Sequence, residues 1–296
     1  MTVDLPAAQA FMATHARLLD RRRHALLSGE GDGVAVLAAL EAYRNADGGY
    51  GSGLEPDLRS LESQPAAAGH AFEAFAEAAP LITPQAVALC DWLATVTLDD
   101  GGLPLTLPVT SGAGVAPWFQ SADSTLSSLQ ITAFVAASAH RVADHDPAVA
   151  AHPWLARATA YCLDAIAGLD QSPFAYVLAF SIRLLDVLHG RRPEAQPLMD
   201  ALSDRVPRDG RVPVAGGAEG ETLRPLDIAP EPGRPARALL DPQAIAADLE
   251  RLSGEQREDG GWTVDYLPIS PAGSLDWRGY ATVKAIATLR RNDALG

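Results

Sequence analysis

Apolar residues recur at i, i+3 and i+4 along "GVAVLAALEAYR" (33–44) and "AIAADLERLSGEQ" (244–256), the period of an amphipathic helix. Three other stretches are apolar almost all round: "PAAAGHAFEAFAEA" (65–78), "SLQITAFVAASAH" (128–140) and "GYATVKAIATLRR" (279–291). These predict buried helices. Between the two kinds stands a repeated turn. Asp-Gly pairs occur at Asp47, Asp100, Asp209 and Asp259, each seven residues after a leucine: Leu40, Leu93, Leu202 and Leu252. A degenerate copy runs from Leu163 to Asp170. Glycine accepts the left-handed backbone that stops a helix, and aspartate tolerates the turn beside it. An apolar or aromatic residue follows in each case: Tyr50, Leu103, Val212 and Trp262.

A polar-faced helix, a Gly corner and an apolar helix form a hairpin that cannot hide its own inner face. Several hairpins closed into a ring bury the second helices inside. The pattern therefore predicts an all-α fold, a single α/α toroid of five or six hairpins spanning residues 1–296, with an N-terminal helix over 5–28 packed on the ring. Six prolines within 213–242 (Pro213, Pro225, Pro230, Pro232, Pro235 and Pro242) predict a long irregular segment of lid type.

"QREDGGW" (256–262) fits QxxxGxW, with Leu252 at the aliphatic position four residues earlier, and resembles the repeats of squalene-hopene cyclases. "YRNADGGYGSGLEPD" (43–57) and "SLDWRGYATVKAIATL" (274–289) are similar to repeats of protein prenyltransferase β subunits. The resemblance covers residues 30 to 290. It implies the toroid and a ligand cavity inside it. It does not carry the reaction over. The DxDD acid of class II terpenoid cyclases is missing, with "SADST" (121–125) the nearest string, and Asp99-Asp100 has no third acid to make DDxxD. The Asp, Cys and His zinc ligands of prenyltransferases have no counterparts either. Cys90 and Cys162 fall in other helices, and His70 reads as a core histidine. No metal or cofactor is expected, and magnesium enters only if the substrate is a diphosphate.

A formal net charge of −14 excludes a phosphate-neutralising, nucleic-acid role. The one compact basic run, Arg21 to Arg23 with His24, reads as the solvated end of a helix. Two cysteines without a CxxC pair exclude a disulfide framework. The first residues lack the basic-then-apolar order of a signal peptide, and no apolar run is long enough for stable membrane insertion, so a cytoplasmic protein is expected.

Inside a toroid the loops entering the inner helices would carry the chemistry. Four segments take that place: 53–65, 116–128, 222–237 and 274–280. They supply Glu55, Asp57, Asp123 and Asp276 as candidate catalytic acids. Arg59, Trp118, Phe119, Asp227, Trp277, Arg278 and Tyr280 are candidate substrate-binding residues. Carboxylates beside arginine and indole form a tuned acid or an anion site, and Asp123 and Asp276 also fit helix N-caps. A closed ring would bring "LEPDL" to "LDWRG", as a catalytic site or as a latch such as Asp57–Arg278. The expected function is a terpenoid-cyclase-like enzyme, of lyase or isomerase type, acting on an isoprenoid or other apolar small molecule. The alternatives are a non-catalytic toroid binding an apolar ligand or a partner protein, and a carbohydrate-active α/α barrel with paired carboxylates.

Overall fold

The computed structural model describes residues 3–266 and 268–295. These residues form fourteen α-helices: α1 (Leu5–His15), α2 (Leu18–Ser28), α3 (Gly33–Leu40), α4 (Pro65–Glu77), α5 (Pro84–Val96), α6 (Pro117–Gln120), α7 (Leu129–Ala143), α8 (Pro147–Ala150), α9 (Pro153–Ala167), α10 (Ala175–Leu188), α11 (Ala195–Leu202), α12 (Pro225–Ile228), α13 (Pro242–Gly254) and α14 (Pro271–Arg291). Strands β1 (Val212–Pro213) and β2 (Thr222–Leu223) form one short antiparallel ribbon. The chain is 57% helix and all-α in class, as expected. Among the described residues no helix is long and apolar enough to cross a membrane. Most helices open on proline, whose fixed φ suits the first helical position and whose missing N–H costs nothing there.

The chain divides into two compact units, Asp32–Leu169 and Met1–Gly31 with Asp170–Gly296. In the first, α4 and α7 pack side by side, α3 and α5 pack on α4, and α9 packs on α5 and α7. The small residues of α4 allow this closeness. A Cβ on Gly69 would stand 2.1 Å from the Phe134 ring of α7. In the second unit α14 is the centre. α1, α2 and α13 pack on it, burying Phe11, Met12, Trp262, Val283, Ile286 and Leu289. α10 packs on α11 and α12.

The repeated corners share one geometry. The backbone N–H two residues after each aspartate donates to its Oδ1: Gly49 to Asp47 (2.9 Å), Gly102 to Asp100 (3.0 Å), Arg211 to Asp209 (3.1 Å) and Gly261 to Asp259 (3.2 Å). The first glycine is left-handed every time, with φ of 90°, 95°, 66° and 91° at Gly48, Gly101, Gly210 and Gly260. Degenerate Asp170 makes the same bond to Ser172 N (3.0 Å). A helix then backs the corner. Gly49 lies against Trp92 of α5, Gly102 against Tyr161 of α9, and Gly261 against Phe11 of α1. α1 thus does for the last corner what the following helix does for the first two. Gln256 fastens it, accepting from Asp4 N and donating to Asp4 O, both at 2.8 Å.

Three expectations change. The helix over 5–28 is two helices, because Ala16 and Arg17 are extended, and both halves pack on α14. The basic run is not a solvated end. Helical periodicity turns Arg23 and His24 inward, where they are 3% and 6% exposed; Asp20 pairs with both Arg17 (2.6 Å) and Arg23 (3.3 Å). Burial depresses the His24 pKa. Residues 213–242 are irregular but carry α12, a 3-10 turn at Pro235–Leu239 and part of the ribbon. They are fastened to α10, whose buried Asp186 accepts from Arg234 Nε (3.2 Å) and Ala236 N (2.9 Å).

Candidate functional site

After the first corner the chain does not enter α4 directly. Ser52 and Gly53 adopt φ of 54° and 77°, and the loop doubles back so that Ser52 N donates to Ser60 O (2.8 Å). A second loop clasps it. Arg59 N donates to Gly114 O (3.1 Å) and Ala116 N to Asp57 O (2.8 Å). Gln64 exchanges a pair of bonds with the Leu107 backbone, at 2.9 and 3.2 Å. Both loops thereby satisfy backbone groups that no helix serves.

The clasp buries Glu55 and Asp57, 7% and 2% exposed, together with Ser60, Ser63, Gln64 and Thr106. A buried carboxylate is costly unless it is paired. Glu55 Oε1 accepts from Asp57 N (3.0 Å), and Oε2 lies 3.0 Å from His70 Nε2. His70 Nδ1 lies 3.1 Å from Glu73 Oε2, one helical turn on in α4. The result is a Glu55–His70–Glu73 chain with the imidazole between two carboxylates. Burial opposes charge on His70, but its two acidic hydrogen-bond partners outweigh that and raise its pKa. The imidazolium is therefore favoured, and a proton can enter at one ring nitrogen and leave at the other.

The other expected residues are distributed as follows. Arg59 is half-buried, its guanidinium 3.4 Å from the point where a Cβ on Gly53 would stand. Phe119 is buried and Trp118 is 48% exposed. Asp123 is exposed and closes a turn on Thr125, accepting from its N (2.8 Å) and Oγ1 (2.6 Å). Those bonds lower its pKa, which suits a turn rather than a proton donor. Neither Asp123 nor Asp276 is an N-cap. Ser128 caps α7 and Ser270 caps α14, which leaves Asp276 half-buried within the helix.

Asp276, Trp277, Arg278 and Tyr280 belong to the second unit. Trp277 is buried between the edges of Tyr266 (5.3 Å) and Tyr280 (5.5 Å). Arg278 serves the last corner: Nη2 donates to Asp259 Oδ1 (2.7 Å), and the guanidinium covers the Phe11 ring at 4.5 Å. This contact pulls the Asp259 pKa down. Asp227, partly buried in α12, accepts from Arg224 N (2.9 Å). Burial raises its pKa against the pull of Arg183.

Sequence reasoning passed over His70 and did not consider Glu73. The signal was available: "HAFE" (70–73) puts both on one helix face. Among the described residues no group of three or more His, Cys, Asp or Glu is placed to hold a metal ion. A shallow surface depression of about 360 Å³, lined by Val34, Leu37, Phe75, Leu81 and Ile82 among others, contains none of the candidate residues.

No family model matches the chain, and no curated protein matches it. Among solved structures it is similar to a crystal structure of a protein from Actinoplanes, at 16% identity, covering 96% of this chain and 88% of that chain, with a TM-score of 0.49. A likeness that low identifies neither a family nor an activity.

Proposed function

We propose that this chain is an α/α toroid enzyme that moves a proton to or from a largely apolar small molecule, in the manner of a terpenoid cyclase of lyase or isomerase type. The observation that carries the reading is the buried Glu55–His70–Glu73 chain beside Asp57. The shared corners support the toroid, and the Pro-rich segment is its lid. Glu55 is the acid. Once Glu55 has given its proton to the substrate, His70 passes its Nε2 proton to Glu55. It takes another at Nδ1 from the carboxyl of Glu73, which is reprotonated from solvent at the half-buried end of the chain. Asp57 holds one Glu55 oxygen through its N–H and is the second acid of the site.

The test is deuterium incorporation. The full chain is incubated in D2O with a panel of terpenoid alkenes and alcohols, and products are read by mass spectrometry. Label is expected in at least one substrate. Glu55→Gln should abolish it, and His70→Gln should slow it by about 10²–10⁴-fold. No label in any substrate, or label that survives both substitutions, overturns the reading.

One observation favours a non-catalytic toroid instead. Both Glu55 oxygens already have protein partners, as a loop latch would require. Under that reading both substitutions lower the melting temperature and the chain shows no turnover at all.

A further inference from the structure

The depression of about 360 Å³ in the first unit lies on the first hairpin. α3 contributes Val34, Leu37 and Ala38 to its lining, α4 contributes Phe75, and the segment leading to α5 contributes Leu81 and Ile82. Val34 is 62% exposed and Ile82 60%. Val34, Leu37, Ala38 and Glu41 stand at i, i+3, i+4 and i+7, one face of a helix. Apolar side chains gathered in the open at that spacing mark a surface that meets another helix.

The second hairpin shows what fills such a place. Counted from the repeat leucines, Leu40 and Leu93, Leu37 corresponds to Cys90 of α5 and Ala38 to Asp91. Leu37 is half-buried, whereas Cys90 is fully buried. The difference is α8. The second hairpin reaches its next long helix through 144–152, which includes that turn of helix; the first crosses in the shorter 78–83, which includes none. α8 packs on both α5 and α7 and buries Val149 completely. Burial, with the nearby Asp91 and Asp146 carboxylates, raises the Cys90 pKa, and Asp146 is the N-cap of α8. Two residues past α8, His152 Nε2 lies 3.1 Å from Asp91 Oδ1. At the place of Asp91, α11 and α13 also carry acids, Asp200 and Glu250; of the four repeats α3 alone sets an alanine there.

The rim of the depression is acidic. Glu41 lines it, with Arg44 already paired to that carboxylate (2.9 Å). At the other end Gly33 meets Ala78 and Leu81, and exposed Asp32 and Glu77 adjoin Gly33 and Ala78 in the chain.

We propose that this depression docks a short helix of another protein, one that presents an aliphatic side chain as α8 presents Val149 and carries lysine or arginine at its edges. The surface contains no member of the Glu55–His70–Glu73 chain and stands or falls without it.

The probe is a fluorescein-labelled helical peptide of leucine, valine and alanine flanked by lysines, read by anisotropy against the full chain. Its control has glutamate in place of every lysine. Saturable binding is expected for the basic peptide, and binding weaker by roughly tenfold or more for the acidic one. Val34→Asp and Ile82→Asp, on separate elements and at exposed positions, should keep the wild-type melting temperature. Each should weaken the basic peptide by roughly tenfold or more, because each puts a carboxylate into the apolar contact. Both also make the chain more negative, so attraction of charge alone would strengthen binding instead. That result overturns the proposal, as does equal binding of the two peptides or no saturable binding to the wild-type chain. Sedimentation velocity should find the wild-type chain monomeric. A wild-type dimer that either substitution breaks would give the depression to a second copy of this chain and overturn the proposal too.

Discussion

The first corner, Asp47 to Tyr50, and the last, Asp259 to Trp262, have the same backbone and different surroundings. At the first, Ser63 Oγ donates to Asp47 (2.8 Å) and the chain runs on into a buried clasp of carboxylates and a histidine. At the last, Arg278 takes the serine's place on Asp259, Trp262 Nε1 donates to Leu252 O (2.8 Å), and Thr282 Oγ1 receives the Trp262 N–H (3.0 Å). The last corner spends its polar groups on closing itself. The first closes with a hydroxyl and leaves its charged residues for the loop beyond. A repeat can thus hold its backbone constant while the residues hung on it diverge, which is how one architecture carries unlike sites.

Removing the central charge from each region should separate them most. His70→Leu takes the imidazole away from buried Glu55 and half-buried Glu73 and should cost about 3–5 kcal/mol in urea unfolding. Arg278→Gln opens a pair whose Asp259 side chain is 40% exposed, and should cost about 1 kcal/mol or less. Similar losses would erase the contrast. Alanine at the first glycine of each corner comes next. Gly48 and Gly260 share a left-handed φ, worth about 1–2 kcal/mol to any L residue. A Cβ at Gly260, however, stands 2.1 Å from Ala7 O, whereas at Gly48 it stands 3.1 Å from Ala88 O. Gly260→Ala should therefore lose a further ~1–3 kcal/mol to overpacking, visible as a larger drop in melting temperature.

The two regions should also respond at opposite ends of the pH scale. The raised His70 pKa contributes stability that is fully present below the ordinary histidine value (about 6.5) and lost as pH rises through the folded value. The lowered Asp259 pKa contributes stability present above about 3.9 and lost as pH falls through its folded value. Melting curves across pH should show His70→Gln flattening only the upper limb and Asp259→Asn only the lower. The smallest effect is at Tyr50. Its hydroxyl is buried and meets no hydrogen-bond partner among the described residues, so Tyr50→Phe should be neutral or stabilising by about 1 kcal/mol. A clear loss on thermal unfolding would mean the hydroxyl is satisfied by a group outside the protein.

The helix class and the corners were legible because each is set locally: seven residues from leucine to aspartate, then a glycine that must be left-handed. The charged residues were not. Whether His70 is a core residue or one link in a chain depends on Glu55, which a doubled-back loop delivers from 15 residues away. Asp123 and Asp276 looked like caps because the sequence shows a short acid before an apolar run. Ser128 and Ser270 lie at the true helix starts and take the role. Arg23 was misread because four adjacent polar residues cannot all face water from one helix.

The fastening of Asp4 to Gln256 bears on how the molecule is made. Asp32–Leu169 is one continuous stretch and can pack as soon as it leaves the ribosome. The other unit is written in two pieces, and its first piece emerges 252 residues before the glutamine that secures it. At about 5–20 residues per second, α1 waits on the order of tens of seconds with Phe11 and Met12 uncovered. During that interval the nascent chain carries an apolar helix in search of a surface, and chaperone demand should fall on these first residues rather than on the alanine-rich middle.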